Sequence, residues 1–236
     1  MTSTLSGAAT PTGISTLDEI HLRIDTDGYA IVRDADLGRP ADMREHIHRT
    51  YFNDTYLRTY DFDVPKDRER ARDVIRYEWT ECAVELVEHD TVAISNRDGK
   101  AYREFERVNL LDDPYFADWI TSALTLVPPH LRQERGTFGV NLFRTHTDVV
   151  TKPHRDGEEY ILIYVLEHEG SGAQSILYPD GGGDEIHHTL QPGELVIFRD
   201  DAFRHTATPL VPPTDGPAHR DVLVCTVNYH DTYDIS

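Results

Sequence analysis

Three things are scarce in this chain, and each scarcity excludes a class of protein. Cysteine is nearly missing: Cys82 and Cys225 are the only two in 236 residues. That is too few for a disulfide scaffold. Each lies in an apolar stretch, so both are expected to be buried thiols. Long apolar runs are missing as well, with nothing near the roughly 18 residues that cross a bilayer. Positive charge is short: 23 Lys and Arg against 42 Asp and Glu leave a formal charge of −19. A phosphate backbone or an anionic membrane surface would repel such a chain, so neither nucleic acid nor membrane is an expected partner. Residues 1–15 are rich in Ser, Thr, Ala and Gly and lack the basic and apolar regions of a secretory signal. They are expected to form a flexible tail, with the cytoplasm as the default location.

What is present suits one domain over residues 16–236, long enough to bury a core without a disulfide or metal staple. Leu17 to Thr26 reads as a helix, with Thr16 as its N-cap and Asp18 and Glu19 in its first turn. Asp27-Gly28 turns into the β-prone Tyr29 to Val32. Ala41 to Phe52 has helical spacing through Met43, Ile47 and Tyr51. Asp61 to Arg76 is dense in charge and is expected to be a solvated helix or loop. Trp79 to Val87 fits helix or strand, and Pro114 to Leu126 reads as a helix.

From Gly136 the texture changes to short β-rich runs separated by turn signals, as in a sandwich or barrel. The runs are Thr137–Phe143, Tyr160–Leu166, Gln174–Tyr178, Glu194–Arg199 and Asp221–Tyr229. The second is almost wholly apolar and therefore central. The expected class is mainly β with flanking helices.

Within this half lie two His-x-Asp pairs, His146-Thr147-Asp148 and His154-Arg155-Asp156. On an extended segment such a pair points both side chains to one face, which two neighbouring metal ligands require. A third ligand from elsewhere completes two histidines and a carboxylate on one face of the ion. The open positions opposite then suit the chelating cosubstrate and dioxygen of non-heme iron(II) oxygenases. The second pair is preferred, because it sits between Pro153 and Gly157 and leads straight into the central strand. Among the later histidines, His187, His188 and His219 compete with His205. His205 lies 51 residues past His154, an interval that holds three strands and returns the chain beside its start. His187 and His188 border a glycine-rich turn and are expected to be solvated. Arg220 opens the last strand. An arginine aimed into a barrel is costly unless it meets an anion, and its planar fork matches a carboxylate such as the far end of 2-oxoglutarate.

These segments, in this order, resemble the iron(II)/2-oxoglutarate dioxygenases related to bacterial L-isoleucine hydroxylases. The resemblance rests on His154-Arg155-Asp156-Gly157, Tyr160 to Val165, Gly172 to Tyr178, Pro192 to Phe198, His205 with Pro209, and Arg220 to Leu223. It implies a double-stranded β-helix (jelly-roll, cupin-like) core and the use of Fe(II), 2-oxoglutarate and dioxygen. It further implies hydroxylation of an unactivated C–H bond in a free L-amino acid or close derivative, coupled to conversion of 2-oxoglutarate to succinate and carbon dioxide. Desaturation or cyclisation would use the same reagents. An acid at Asp156 argues against a halogenase, which needs that position open for chloride. The reading from another class is a β-barrel binding module or a zinc protein. A structural metal would call for a fourth protein ligand. Candidate substrate contacts are Asn141, Arg144, Arg155, Glu158 and Tyr160. Asn141 and Arg144 have opposite parity, so a regular strand cannot turn both inward.

Overall fold

The computed structural model describes residues 17–61, 68–89, 92, 94–95, 102–103, 105–146, 150–214 and 216–229. The expected N-terminal tail, Thr16 and Asp148 lie outside this set. The α-helices among the described residues are α1 (Leu17–Asp27), α2 (Ala41–Tyr51) and α3 (Pro114–Thr125), with strands between them. Helix α1 buries Ile20 and Ile24, one turn apart, and Gly28 at φ +79° ends it in a conformation glycine adopts without strain. In α3, Pro114 takes the first position and the Asp113 carboxylate accepts from Tyr115 N–H, while Phe116, Trp119, Ile120, Ala123 and Leu124 are buried. None of the described helices is long and apolar enough to cross a membrane.

The strands are β1 (Tyr29–Arg33), β2 (Arg68–Trp79), β3 (Val84–Glu88), β4 (Ile94–Ser95), β5 (Tyr102–Arg103), β6 (Arg135–Thr145), β7 (Glu158–Glu169) and β8 (Ser171–Gly172). They continue with β9 (Ser175–Pro179), β10 (Ile186–His188), β11 (Glu194–Arg199), β12 (Phe203–Ala207), β13 (Leu210–Val211) and β14 (His219–Tyr229). Seven form one antiparallel sheet in the order β1-β11-β7-β14-β6-β2-β3. Opposite it stand β10-β9-β12 and the pair β13-β8.

Period-two alternation gives the large sheet two unlike faces. Leu142, Leu162, Tyr164, Ile197 and Leu223 face the helices and join the main core with Phe116 and Trp119. Ile161, Val165, Val196, Phe198 and Val222 face the smaller sheet and pack with its Leu177 and Phe203. This two-sheet sandwich with helices on one side is a jelly roll.

Two expectations need correction. The charged stretch before Trp79 is not solvated from residue 68 onward: it forms β2, between β6 and β3, and residues 70–75 are buried. Ala71 and Ile75 join the helix-side core. Arg70 lies over the rings of Phe105 (4.9 Å) and Phe143 (5.2 Å). Arg72 donates to the Asn141 side-chain oxygen at 2.6 Å. Aromatic faces and an amide thus take the place of water. The second correction is Cys82, which is exposed, whereas Cys225 is buried. Cys82 sits in the tight turn from Thr80 to Ala83, where the Thr80 backbone N–H donates to Ala83 O at 2.8 Å and the chain reverses before its apolar residues re-enter the sheet.

Candidate functional site

The two sheets splay at one end and leave a cavity of about 290 Å³. Its walls come from both layers: Phe143, Thr145, Ile163, Arg220 and Val222 on the large sheet, and Ser175, His205 and Ala207 on the small one. His154 and Asp156 stand in the same wall. The backbone brings the histidines together. His154 N–H donates to His205 O at 3.1 Å, and His205 N–H donates to His154 O at 2.9 Å. This bridge sets the imidazoles 4.4 Å apart between centroids. Alternation on the short extended segment turns Asp156 to the same side, 3.4 Å from His154 Nε2 and 3.8 Å from His205 Nε2.

Hydrogen bonds and burial orient the three groups. His154 Nδ1–H donates to Lys152 O at 2.9 Å, which turns Nε2 towards Asp156, and the hydrogen bond to that carboxylate raises the imidazole pKa. Burial pushes the His205 imidazole down in pKa and so favours the neutral, coordinating form. Burial pushes the Asp156 carboxyl up. The hydrogen bond from His154 and the positive fields of His205, His154 and Arg72 outweigh it, and the net shift is downward. Two nitrogens and one oxygen, all converging from one side, suit a six-coordinate divalent ion with positions left open.

The loop that carries Asp156 is pinned from below. The buried Asp200, just after β11, accepts N–H donation from Asp156 (3.3 Å), Gly157 (2.6 Å) and Glu158 (3.1 Å). Gly157 takes φ +89° in that turn. Sequence reading missed Asp200, because Arg199-Asp200-Asp201 looks like an ordinary charged turn. Its one signal is position, at the end of a strand beside the metal motif.

Arg220 is the second pole of the cavity. Its Nε and Nη2 are buried and have no hydrogen-bond partner among the described residues. Burial alone depresses its pKa to about 10. A desolvated guanidinium fork that opens into a cavity is what the far carboxylate of a diacid would fill.

The substrate candidates fall differently. Asn141 is on the cavity side of β6, but its side chain is engaged with Arg72 and Val224 O (3.3 Å). Arg144 faces the other way, where it grips Asp221 through Nε (2.9 Å) and Nη2 (2.6 Å). Arg155 is exposed and pairs with Asp180. Tyr160 belongs to the helix-side core, and buried Glu158 shares its parity. None of the five lines the cavity. Arg68, at the start of β2, does line it and was not singled out from sequence. The signal was available: Arg68, Arg70 and Arg72 recur at the period of a strand.

Among the described residues one other group, His48, Glu167 and Asp221, brings ligand atoms together. There the Asp221 charge is already met by Arg144. His146 pairs with Glu69 at 2.9 Å instead of entering the site. His187 and His188 lie on β10, paired with Glu185 and Glu194, outside the cavity.

A family model described as 2OG-Fe dioxygenase matches residues 51–226. Three solved structures are similar throughout. A bsmA homolog from Methylobium petroleophilum PM1 has a TM-score of 0.81 at 21% identity, covering 96% of this chain and 97% of its own. An IDO from Bacillus thuringiensis has 0.67 at 16%, covering 98% and 100%. A 2OG-Fe(II) oxygenase family oxidoreductase from Burkholderia pseudomallei has 0.59 at 14%, covering 97% and 96%. At these identities the likeness establishes the shared fold. No curated protein matches the chain.

Proposed function

The chain belongs to the 2OG-Fe dioxygenase family, and on that premise we propose that it hydroxylates an unactivated C–H bond of a free L-amino acid or close derivative. Fe(II), 2-oxoglutarate and dioxygen are the reagents of the family. When bound together they supply the oxidising power: one oxygen atom enters the substrate as hydroxyl, and the other leaves in succinate as 2-oxoglutarate loses carbon dioxide. His154, Asp156 and His205 hold the iron. Arg220 holds the far carboxylate of 2-oxoglutarate. Asp200 keeps Asp156 in register with the two imidazoles. The apolar part of the wall, including Phe143, Ile163 and Val222, keeps water from the reacting C–H.

One observation carries this reading: a buried, unpartnered guanidinium opens into the same cavity as an open His-Asp-His set. A zinc hydrolase does not need that arginine, and a binding module does not need a metal set with open positions. Size supports a small substrate, since about 290 Å³ is at the low end of ligand pockets.

The test is an anaerobic titration of metal-free protein with Fe(II) and then 2-oxoglutarate. The visible charge-transfer band of the chelate is expected and is lost in His205→Ala. A panel of L-amino acids scored by succinate release then tests the substrate. A folded protein without the band returns the zinc or binding-module reading. A band with no amino-acid-dependent succinate rejects the substrate class but keeps the oxygenase.

A further inference from the structure

We propose that Asp180, outside the cavity, is a positioning residue for the metal centre: through Arg155 and Arg204 it ties together the two segments that carry all three ligands. This rests on the assignment of His154, Asp156 and His205 as the ligand set.

Parity supplies the arrangement. In His154-Arg155-Asp156 the two ligands line the cavity, and the arginine between them is exposed and outside its lining. On β12, His205 is buried and its neighbour Arg204 is exposed. Each ligand-bearing segment therefore presents one arginine on the side away from the metal. Asp180 stands between these arginines. Tyr178 on β9 lies opposite Arg204 on β12, and Asp180 is the first residue past the end of β9. Its backbone N–H donates to Ala202 O at 3.0 Å, which fixes the turn against β12. Its carboxylate pairs with Arg155 through Oδ2 and lies 3.9 Å from Arg204 Nε through Oδ1. Each oxygen thus serves one ligand-bearing segment.

The first segment needs such a tie. His154 meets β12 in an isolated bridge, with one reciprocal pair of backbone hydrogen bonds and no ladder around it. Asp200 holds the turn that follows from the inner side. Arg155 holds the outer side, where its Nη2 also donates to Asp201 O at 3.1 Å. Loss of the Asp180 carboxylate frees the side chain between the first two ligands and cuts its link to the neighbour of the third. Charge works in the same direction. Arg155 and Arg204 sit beside the ligands in sequence, and two unbalanced guanidiniums would repel a divalent ion that Asp180 otherwise helps to admit. The pairing side chains are 35%, 42% and 55% exposed, so the effect is moderate and sensitive to salt.

The experiment titrates metal-free, full-length protein with Mn(II) and reads binding from loss of the free-ion EPR signal. Wild-type protein is expected to bind, and His205→Ala to abolish binding. In Asp180→Asn the Mn(II) dissociation constant rises about three- to tenfold at low salt, between the effect of a surface ion pair and that of a direct partner of a ligand. The ratio to wild type shrinks at about 1 M salt, where exposed charges are screened. Arg155→Gln gives a loss of similar size, and the double variant is no weaker than the weaker single, because both act through one pair. Asp180→Glu keeps the charge and recovers part of the loss. The urea midpoint of Asp180→Asn stays near that of wild type, which separates a loosened site from a loosened fold. The proposal is overturned if Asp180→Asn binds within about twofold of wild type at low salt, or if the losses in the double variant add. Wild-type protein that binds no Mn(II), or binds it untouched by His205→Ala, would remove the ligand assignment itself and this inference with it.

Discussion

The two faces of the large sheet are built from the same strands and differ only in parity, yet they treat a buried arginine in opposite ways. On the helix side, Arg39 lies over Trp119 at 5.4 Å and Tyr164 at 5.6 Å, and reaches Asp34 at 3.4 Å. Tyr164 also donates to Asp34 at 2.8 Å. On the cavity side, Arg220 is desolvated, and its Nε and Nη2 have no hydrogen-bond partner among the described residues. Burial depresses both guanidinium pKa values, but only for Arg39 do neighbours partly offset it. A structural charge is buried together with its partner. A charge held for a ligand is buried alone, and the fold carries that cost until the ligand arrives.

The largest loss of stability is expected at the helix face. Trp119→Ala removes the largest fully buried side chain from the main core and is expected to lower unfolding free energy by about 3–5 kcal/mol. Urea denaturation measures this. The folded fraction should still form the iron–oxoglutarate chelate, because no cavity wall is touched. A folded variant that had lost the chelate would show that the two faces are coupled.

The next effect sharpens the contrast between the two arginines. Arg39→Ala leaves Asp34 and two rings without their cation and should destabilise by about 3 kcal/mol. Arg220→Ala relieves an unpaired charge, so stability should hold or rise. Its loss appears elsewhere, as a ten- to hundredfold weaker 2-oxoglutarate titration. Equal destabilisation by both would mean that Arg220 is structural.

Much of this was legible in sequence, for identifiable reasons. Helices α1, α2 and α3 and strands β7, β11 and β14 announce themselves through apolar periodicity and turn residues, and all stand close to their expected positions. The pairing of His154 with His205 could be read from spacing, since the interval holds whole strands. The strand β2 could not, because arginines that alternate with Glu69, Ala71 and Asp73 look polar until the aromatic faces that cover Arg70 are known. The substrate candidates lie outside the cavity lining for a related reason. Parity separated Asn141 from Arg144 but did not say which face was the cavity. Tyr160 and Glu158 follow the metal motif closely in sequence, yet the strand turns them to the helix side.

The smallest effect also belongs to β2, where the helix side carries a charge of its own. Asp73 is buried and accepts N–H donation from Val74 at 2.8 Å and Leu110 at 2.9 Å. Arg107 approaches at 3.5 Å but is shared with Glu88. Burial, aided by Glu88, pushes the Asp73 carboxyl up to about 7. The folded protein therefore binds a proton at Asp73 between about pH 4 and pH 7 that the unfolded chain has released. Stability from this group is present at the acid end and is lost as pH rises through that window, by at most about 1.4 kcal/mol per pH unit. Asp73→Asn cannot titrate. The amide costs one of the two acceptor bonds at every pH, so the slope and not the midpoint carries the prediction. Urea unfolding at pH 5, 6 and 7 should show wild-type stability falling relative to the variant. Parallel pH curves would mean that Asp73 stays ionised through its pairing with Arg107, and that β2 holds a satisfied charge on both of its faces.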